Sequence, residues 1–536
     1  MEWEHVLLKA ALMDDYAAAE RRLHALQQCP QAFGHPVDAV EWIETHISWL
    51  LLAGEYVYKF KKPLKLDFLD FSTPALRRAA CAEELRINRR TAPGLYLGLV
   101  ALTGSAPEGL RLLPLEDAPP EAEPAVCMRR FDQGALLSHL LERQLLTPAD
   151  IDALARHVAR FHGAATVALP DQGWGTAQAV RAPVQDCLAA LQAQAAGAPD
   201  LAPLLGPLVE WCTARSATLA PVFEERLHAG CVRECHGDLH LANLVIIDGA
   251  PQLFDAIEFN PALRWIDCMA DIAFLAMDLE ARGRADLAWR FLNAWLECTG
   301  DYAGLPVLDY YRVYRALVRA RVAGLRLAQT TGAARAACLQ EQRRYLELAL
   351  RFTQPRPVAL WLAHGFSGSG KSTQSLALVC QRGMVRVRAD VERKRLFGLA
   401  PEAASSAVPG GIYTKDASRR THERLAQVAC WVLGAGHAVL VDATFLNPAM
   451  RARFIALAQE LGVACRILCF EAPLDVLRER VRARQQVGGD ASEADVRVLE
   501  SQWAAARPLS IDEEALAVHV DTTLPVDWNR LLPRSQ

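Results

Sequence analysis

No C-x-x-C pair occurs among the fourteen cysteines. That removes the usual spacing of a structural zinc site. Cys231, Cys235, His236 and His240 lie close together but lack paired spacing, and their stretch has a better explanation below. Scattered thiols in a long chain point to a reducing compartment. No run approaches about 18 apolar residues, the length that spans a membrane. The opening residues, MEWEHVLLKAALMDD, carry acids where a secretory leader has a basic start and an apolar core, so a cytoplasmic protein is expected. Large net charge is missing too: 58 Lys and Arg against 62 Asp and Glu leave −4, which gives no general pull towards nucleic acid or anionic membrane. What is present is ordinary globular composition, 52% hydrophobic and 22% charged, in 536 residues, enough for several domains.

Residues 365–373 (GFSGSGKST) fit G-x-x-x-x-G-K-[ST] from Gly365 to Ser372. The apolar run 358–363 before them reads as a buried strand, and 373–378 as the start of a helix. Strand, loop and helix in that order make a phosphate-binding loop. Gly365, Gly368 and Gly370 allow backbone angles and a close approach that a Cβ would obstruct. Successive N–H groups then face an anion-sized hollow at the positive end of a helix. Lys371 is expected to reach the β- and γ-phosphates of ATP, and Ser372 to ligand Mg²⁺. The candidate nucleotide-binding residues are Gly365, Phe366, Ser367, Gly368, Ser369, Gly370, Lys371, Ser372 and Thr373.

Residues 1–35 are helical in pattern, with Leu7, Leu8, Ala11 and Leu12 at helical spacing until Pro30 and Pro36 break it. Residues 45–62 (THISWLLLAGEYVYKFKK) read as a β-hairpin about Ala53-Gly54-Glu55. In its second run Val57, Lys59 and Lys61 share one face, and Tyr56, Tyr58 and Phe60 the other. A lysine inside a buried strand needs an anionic partner. Either this is an edge strand with solvated lysines, or Lys59 contacts nucleotide phosphates. A helix is expected over 75–90, whose Glu83 or Glu84, the second preferred, pairs with Lys59. Residues 126–137 read as strand, linker and helix, and 150–166 and 178–228 as helices.

Residues 231–260 (CVRECHGDLHLANLVIIDGAPQLFDAIEFN) contain His236-Gly237-Asp238, then Asn243, a strand at 244–247, a turn at Asp248-Gly249, and a second strand ending in Phe254-Asp255. A loop thus offers a carboxylate and an amide, and a hairpin adds a second carboxylate. Phosphoryl transfer needs such parts: a carboxylate to orient or deprotonate the acceptor hydroxyl, and oxygen ligands for Mg²⁺. Here, over roughly residues 35–330, the chain resembles the aminoglycoside phosphotransferase and choline kinase superfamily, which has a protein-kinase-like fold. The resemblance implies Asp238 as catalytic base, Asn243 and Asp255 as Mg²⁺ ligands, Lys59 as the strand lysine and VCMRRF as the hinge that holds adenine. It also implies that residues 154–162 form the helix before the catalytic loop and that Asp267 and Asp271 are structural. No G-x-G-x-x-G occurs between residues 37 and 60. That leaves open a second reading of this half, as a binding module that reads a ligand and gates the other half.

Residues 310–351 are helical in pattern and end at Thr353-Gln354-Pro355-Arg356-Pro357, a domain boundary. From 358 onwards strands and helices alternate, which argues a parallel sheet with helices on both faces. Ligands bind at the carboxyl ends of such strands. The strand at 385–388 ends at Asp390, which either faces an acceptor hydroxyl or caps the next helix, the two being compatible. Arg388, Arg393 and Arg395 add positive charge for an anionic substrate. The strand at 438–441 ends at Asp442, a second metal residue, and a fourth strand covers 465–470. The helix at 474–484 carries Arg478, Arg480, Arg482 and Arg484, with 480 and 484 on one face. It is a solvated basic face or a lid that brings an arginine to the transferring phosphoryl group. Gly488-Gly489 and the polar run after them suit a mobile segment. Over 358–520 this half resembles the P-loop small-molecule and polynucleotide kinases, near gluconate kinase, the zeta toxins and polynucleotide 5′-kinase, in GFSGSGKST, RADVERKRLFG, VLVDATFLNPAMR and RERVRAR. The resemblance implies Asp390 as base and Arg480 and Arg484 as lid arginines.

The order of parts resembles a bacterial bifunctional family in which an aminoglycoside-phosphotransferase-like half is fused to a P-loop half. The expected fold is α+β then α/β: a helical extension at 1–35, a protein-kinase-like domain at 36–352, a linker at 353–357 and a P-loop NTPase domain at 358–536. The expected activity is transfer of the γ-phosphoryl group of ATP, with Mg²⁺, to hydroxyls of small molecules such as a sugar, a nucleotide sugar or an aminoglycoside-like compound. A 5′-hydroxyl polynucleotide is the less favoured acceptor of the P-loop half, because the aromatics near its arginines are few: Phe397, Tyr413, Phe445 and Trp503. No membrane partner is expected.

Overall fold

Alternation along the strand Tyr56–Lys61 sends Val57, Lys59 and Lys61 to one face and Tyr58 and Phe60 to the other. The structure, a computed structural model, describes residues 2–66, 69–105, 109–195, 198–327, 330–405, 408, 411–487 and 491–532. Gly488 and Gly489 lie outside these, and the side chains of Leu7, Leu8, Ala11 and Leu12 are also outside the described set. The chain divides into two compact units, Met1–Leu146 with Ala164–Trp174 and Val232–Asp271, and Thr147–Gly163 with Gly175–Cys231 and Ile272–Gln536.

The first unit is built on a six-stranded antiparallel sheet in the order Val40–Glu44, Ser48–Ala53, Tyr56–Lys61, Glu123–Arg129, Tyr96–Thr103, Arg111–Pro114. The strand Val40–Glu44 was not legible in the sequence. Tyr56–Lys61 lies between two partners, so it is not an edge, and its lysines are buried rather than solvated. One face packs Trp49, Leu51, Tyr58 and Phe60 against Leu23, Leu26 and Phe33 from the N-terminal helix Glu2–Gln27 and the turn after it. The other packs Leu52, Val57, Val126 and Met128 against Cys81 of the helix Pro74–Asn88. That helix starts where Thr73 Oγ1 accepts the Leu76 N–H and Pro74 occupies the first turn. The hairpin Leu244–Ile247 and Ala250–Leu253 turns at Asp248 and Gly249, both at positive φ (52° and 74°), as a two-residue hairpin turn requires.

The second unit carries a five-stranded parallel sheet in the order Val385–Arg388, Val439–Asp442, Ala359–His364, Ala464–Glu471, Ala517–Asp521. Its fifth strand was not anticipated. The helices Lys371–Arg382, Lys415–Gly434, Pro448–Glu460 and Leu474–Val487 follow its strands. The stretch 310–351 forms two helices, Leu305–Leu327 and Gly332–Thr353. Gly332 starts the second at φ 57°, in the left-handed region that glycine adopts readily. The helix Ala285–Thr299 also belongs to this unit. Its Asn293 donates to the Met384 carbonyl at 2.9 Å and accepts from the Arg386 N–H at 2.6 Å, so a side-chain amide satisfies the open edge of the strand Val385–Arg388. Among the described residues no helix is long and apolar enough to cross a membrane.

Candidate active sites

In the second unit the strand Ala359–His364 delivers the loop, and Gly370, at φ 82°, caps the helix that Lys371 opens. Gly365 (φ 148°) lies so close to the Phe470 carbonyl that a Cβ would fall 2.6 Å from it. The Lys371 ammonium folds back onto two loop carbonyls, Gly365 O at 2.9 Å and Phe366 O at 2.6 Å. Burial pushes its pKa down to about 8; Asp442 and Asp390 oppose the shift and Arg484 adds to it. Lys371, Asp390, Asp442 and Arg484 therefore share one electrostatic neighbourhood.

Asp442 stands in register between Arg388 and Ala363 at the carboxyl edge of the sheet. It is 6% exposed, and its Oδ2 has no hydrogen-bond partner among the described residues, the Arg388 Nε standing 3.9 Å away. A buried carboxylate oxygen without a donor is costly. A divalent cation in that position would satisfy it, so the donor set fits Mg²⁺. Burial holds the Asp390 carboxyl above its ordinary value, and Asp442 adds to this, against a Ser492 hydrogen bond and the charges of Arg393 and Arg388. The helix Ala389–Leu396 begins one residue before Asp390, with Arg388 as its cap, so the capping role weighed for Asp390 is not adopted. Ser372 lends its carbonyl to Arg386 Nη1 at 2.7 Å, and Thr373 is exposed.

Arg480 donates to the Thr522 carbonyl at 2.8 Å and its Oγ1 at 3.0 Å, with Gly368 O at 3.5 Å; Arg484 donates to the Ala494 carbonyl at 2.7 Å. Arg478 is a surface partner of Asp475 and Glu500. Three residues that sequence reasoning did not tie to the loop touch it or its arginine. Gln502 Oε1 accepts the Ser367 N–H at 3.0 Å, Trp503 packs on Phe366 with ring centroids 4.8 Å apart, and Thr522 anchors Arg480. Nothing in their spacing could have signalled this, since each comes from an element far along the chain.

In the first unit Lys59 donates to Glu84 Oε1 at 2.8 Å and pairs with Asp255. Glu84 rather than Glu83 is the partner; Glu83 pairs with Arg86 and Arg264. Burial opposes the charge on Lys59, but Asp255 and Glu84 outweigh it and hold its pKa well above the ordinary value. Glu84 would be raised by burial, but Lys59 and Lys61 bring it down to about 2. Asp255 itself sits at φ 61°, the left-handed region that a non-glycine residue rarely adopts. Its N–H donates to the Tyr96 hydroxyl at 3.0 Å, the next N–H to Asn88 Oδ1 at 2.9 Å, and Thr91 donates to the Leu253 carbonyl at 2.8 Å. These three positioning residues were not read from sequence.

Asn243 Nδ2 donates to Asp238 Oδ2 at 2.9 Å and to the Asp238 carbonyl at 3.0 Å, while His240 Nε2 lies 3.3 Å from the same carboxylate. Asp238 keeps a side-chain exposure of 35%, so it remains reachable. Asp271 accepts the N–H groups of His236 (3.1 Å) and Gly237 (2.9 Å). Burial lowers the His236 pKa, and the neutral ring joins the two halves of the site: Nε2–H donates to the Phe254 carbonyl at 2.9 Å, and Nδ1 accepts the Asp238 N–H at 3.3 Å. Cys235, His236 and His240 thus have separate partners, Ile266 O, Phe254 O and Asp238.

The model of a family described as an AAA domain matches residues 360–509. The uncharacterized protein Rv2004c of Mycobacterium tuberculosis is 33% identical over 465 residues, which cover 85% of this chain and 89% of that protein. The uncharacterized protein Mb2027c of Mycobacterium bovis matches at the same identity and coverage. Among solved structures, a choline kinase from Cryptosporidium parvum is 11% identical, with 58% of this chain and 89% of that one covered and a TM-score of 0.37. A gluconokinase from Sinorhizobium meliloti is 19% identical, with 32% and 86% covered and a TM-score of 0.23.

Proposed function

The chain belongs to the family that includes the mycobacterial protein Rv2004c, and from that premise we propose that it is a kinase, dependent on ATP and Mg²⁺, which phosphorylates hydroxyl groups of small molecules. The observation that carries this is at residues 365–372: a glycine cradle whose buried lysine donates to two loop carbonyls, beside a buried carboxylate oxygen without a hydrogen-bond partner among the described residues. Anion and cation sites so juxtaposed suit a nucleotide phosphate and its metal. The metal, when bound, would neutralise phosphate charge.

In the P-loop half, 358–536, residues Gly365, Phe366, Ser367, Gly368, Ser369, Gly370 and Thr373 form the cradle and Lys371 orients phosphate oxygens. Ser372 and Asp442 would hold Mg²⁺. Asp390 accepts the proton of the acceptor hydroxyl, and its raised pKa favours that role. Arg480 and Arg484 supply positive charge near the loop. In the kinase-like half, 36–352, Lys59 is the phosphate contact, Asp238 the base, and Asn243 and Asp255 the metal ligands.

A specific observation favours a second reading of that half, as a ligand sensor. Protein kinases cover the phosphates with a glycine-rich loop ahead of the strand that carries the lysine. Here the strands Val40–Glu44 and Ser48–Ala53 are joined by Thr45, His46 and Ile47, without glycine. The turn is closed by Thr45 Oγ1, which accepts the Ser48 N–H at 3.0 Å, and its carbonyl is tied to Lys62 Nζ at 2.6 Å.

The test is ADP release and product labelling by the wild type, Lys371→Ala and Asp238→Ala against a pool of metabolites, aminoglycosides and nucleotide sugars. Two products, each removed by one substitution, support two kinase sites. Loss of all turnover in Lys371→Ala, with Asp238→Ala changing only affinity, supports the sensor. No turnover in the wild type would sink the proposal.

A further inference from the structure

A cavity of about 370 Å³ opens at the start of the helix Lys415–Gly434, walled by Tyr413, Lys415, Ser418, Arg419, His422 and Arg453 among others. Among the described residues its lining holds three cationic side chains and no carboxylate. Arg419 is answered by Asp416 at 2.6 Å and Glu423 at 2.8 Å. Lys415 and Arg453 have no ion-pair partner among the described residues. Burial, Arg393 and Arg453 push His422 down to about 4, so near pH 7 it is a neutral ring with one N–H to donate.

Arg393 backs this wall. It is 9% exposed, its Nη1 donates to the Ile412 carbonyl and to Ser418 Oγ, each at 3.3 Å, and its guanidinium lies 5.0 Å from the Tyr413 ring centroid. Its Nε has no partner among the described residues. Among the described residues this guanidinium has no carboxylate in hydrogen-bond contact, and an anion in the cavity would add to the compensation that Asp390 gives it at a distance. Arg393 also stands one helical turn after Asp390 and acts on that carboxyl, while Asp390 acts in turn on Tyr413. The cavity and the candidate base are therefore joined through Arg393 and Tyr413.

We propose that this cavity receives the anionic group, a phosphate or a carboxylate, of a small-molecule acceptor whose hydroxyl is presented to Asp390. The inference rests on the kinase reading of the P-loop half and narrows its substrate class. The volume suits part of a metabolite. A polynucleotide needs successive aromatic platforms, and among the described lining residues Tyr413 is the one Phe, Tyr or Trp, with the His422 ring beside it.

The test uses the full chain with its nucleotide site filled by Mg²⁺ and AMPPNP, so that the P-loop cannot take the probe. Inorganic phosphate and acetate are titrated separately by calorimetry, which distinguishes the two anions. At least one is expected to bind, and to bind at least about tenfold more weakly to Lys415→Ala/Arg453→Ala, as the loss of charged hydrogen bonds predicts. Both side chains are exposed, and an unchanged thermal midpoint checks that the double variant is folded. In turnover the same variant should raise the KM of the acceptor and leave that of ATP unchanged. The proposal is overturned if neither anion binds, if binding is equal in the double variant, or if only a single-stranded oligonucleotide binds and depends on these two residues. Anion binding without any turnover in the wild type would count against the kinase reading and not against the anion site.

Discussion

Glu297 Oε1 accepts two hydrogen bonds from Arg386, from Nη2 at 2.7 Å and Nε at 3.0 Å. Arg386 Nη1 in turn holds the carbonyl of Ser372, the candidate metal ligand. The other oxygen of Glu297 lies 3.5 Å from Arg388, whose Nε is 3.9 Å from the unpartnered oxygen of Asp442. A residue of the helix Ala285–Thr299 thus positions two arginines at the edge of the candidate nucleotide site. Both members of the Glu297–Arg386 pair are largely buried, and removing one partner leaves the other uncompensated. Glu297→Ala should therefore cost about 3 kcal/mol in urea unfolding. A fragment of residues 358–536 lacks Glu297 and should be less stable than one that begins at 272, which keeps it. Equal stability of the two fragments would show that the helix Ala285–Thr299 is not part of this unit.

Nucleotide affinity should depend on pH above about 8, the value to which burial lowers Lys371. ATP binds the charged ammonium, so above that pH each binding event takes up a proton. Affinity should fall there by nearly tenfold per pH unit. The same shift affects stability with a definite sign. Between about 8 and 10.5 the unfolded chain binds more protons at this lysine than the folded chain, so the unliganded protein gains stability as pH rises through that window. In Lys371→Arg the pH dependence of nucleotide binding should vanish, because guanidinium stays charged. Calorimetric titration of ATP at pH 7 to 10 measures the slope.

The strand–loop–helix at 358–378, the hairpin at 45–62 and the Asp248-Gly249 turn were legible because local rules dictate them: apolar runs, glycines at fixed offsets and a two-residue turn. Asp238 and Asn243 were read as parts of one loop, and Glu84 was preferred to Glu83 as the partner of Lys59; the hydrogen bond between Asp238 and Asn243 was not foreseen. The strand Val40–Glu44 was not legible: its sequence, VEWIE, is short and half exposed, and its pairing with Ser48–Ala53 comes from the sheet. Asn88, Thr91 and Tyr96, which hold the Asp255 segment, were invisible because their partners lie some 160 residues away. The same reason hid Glu297.

Glu84 is fully buried between Lys59 and Lys61, and Lys61 also meets Glu258. Glu84→Gln should destabilise the first unit by about 3–5 kcal/mol, since two buried ammonium groups lose a shared carboxylate. The wild type carries a pH signature of the same network. With Glu84 lowered to about 2 from 4.5, its contribution is full above pH 4.5 and is lost as pH falls from 4.5 towards 2. Glu258 works the other way, because burial holds its carboxyl above the ordinary value despite Lys61. Acid unfolding followed by near-UV circular dichroism should therefore be shallower in Glu84→Gln between pH 4.5 and 2; an unchanged acid limb would count against the role given to Glu84.

Gly368 and Gly370 separate two costs that are usually confounded. Both have positive φ, 81° and 82°, so alanine at either is strained by about 1 kcal/mol. A Cβ at Gly368 would also lie 2.7 Å from the Leu477 carbonyl, at the helix that carries Arg480 and Arg484, whereas one at Gly370 would meet only Thr522 at 3.5 Å, an ordinary contact. Gly370→Ala should lose about 1 kcal/mol of stability and Gly370→Asn less, because asparagine tolerates the left-handed region. Gly368→Ala and Gly368→Asn should both lose more, because backbone cannot yield as a flexible side chain does. Urea midpoints of the four variants test this. Rescue by asparagine at 370 but not at 368 is the expected pattern, and rescue at both would mean that the approach of Gly368 to Leu477 carries no weight in holding the loop.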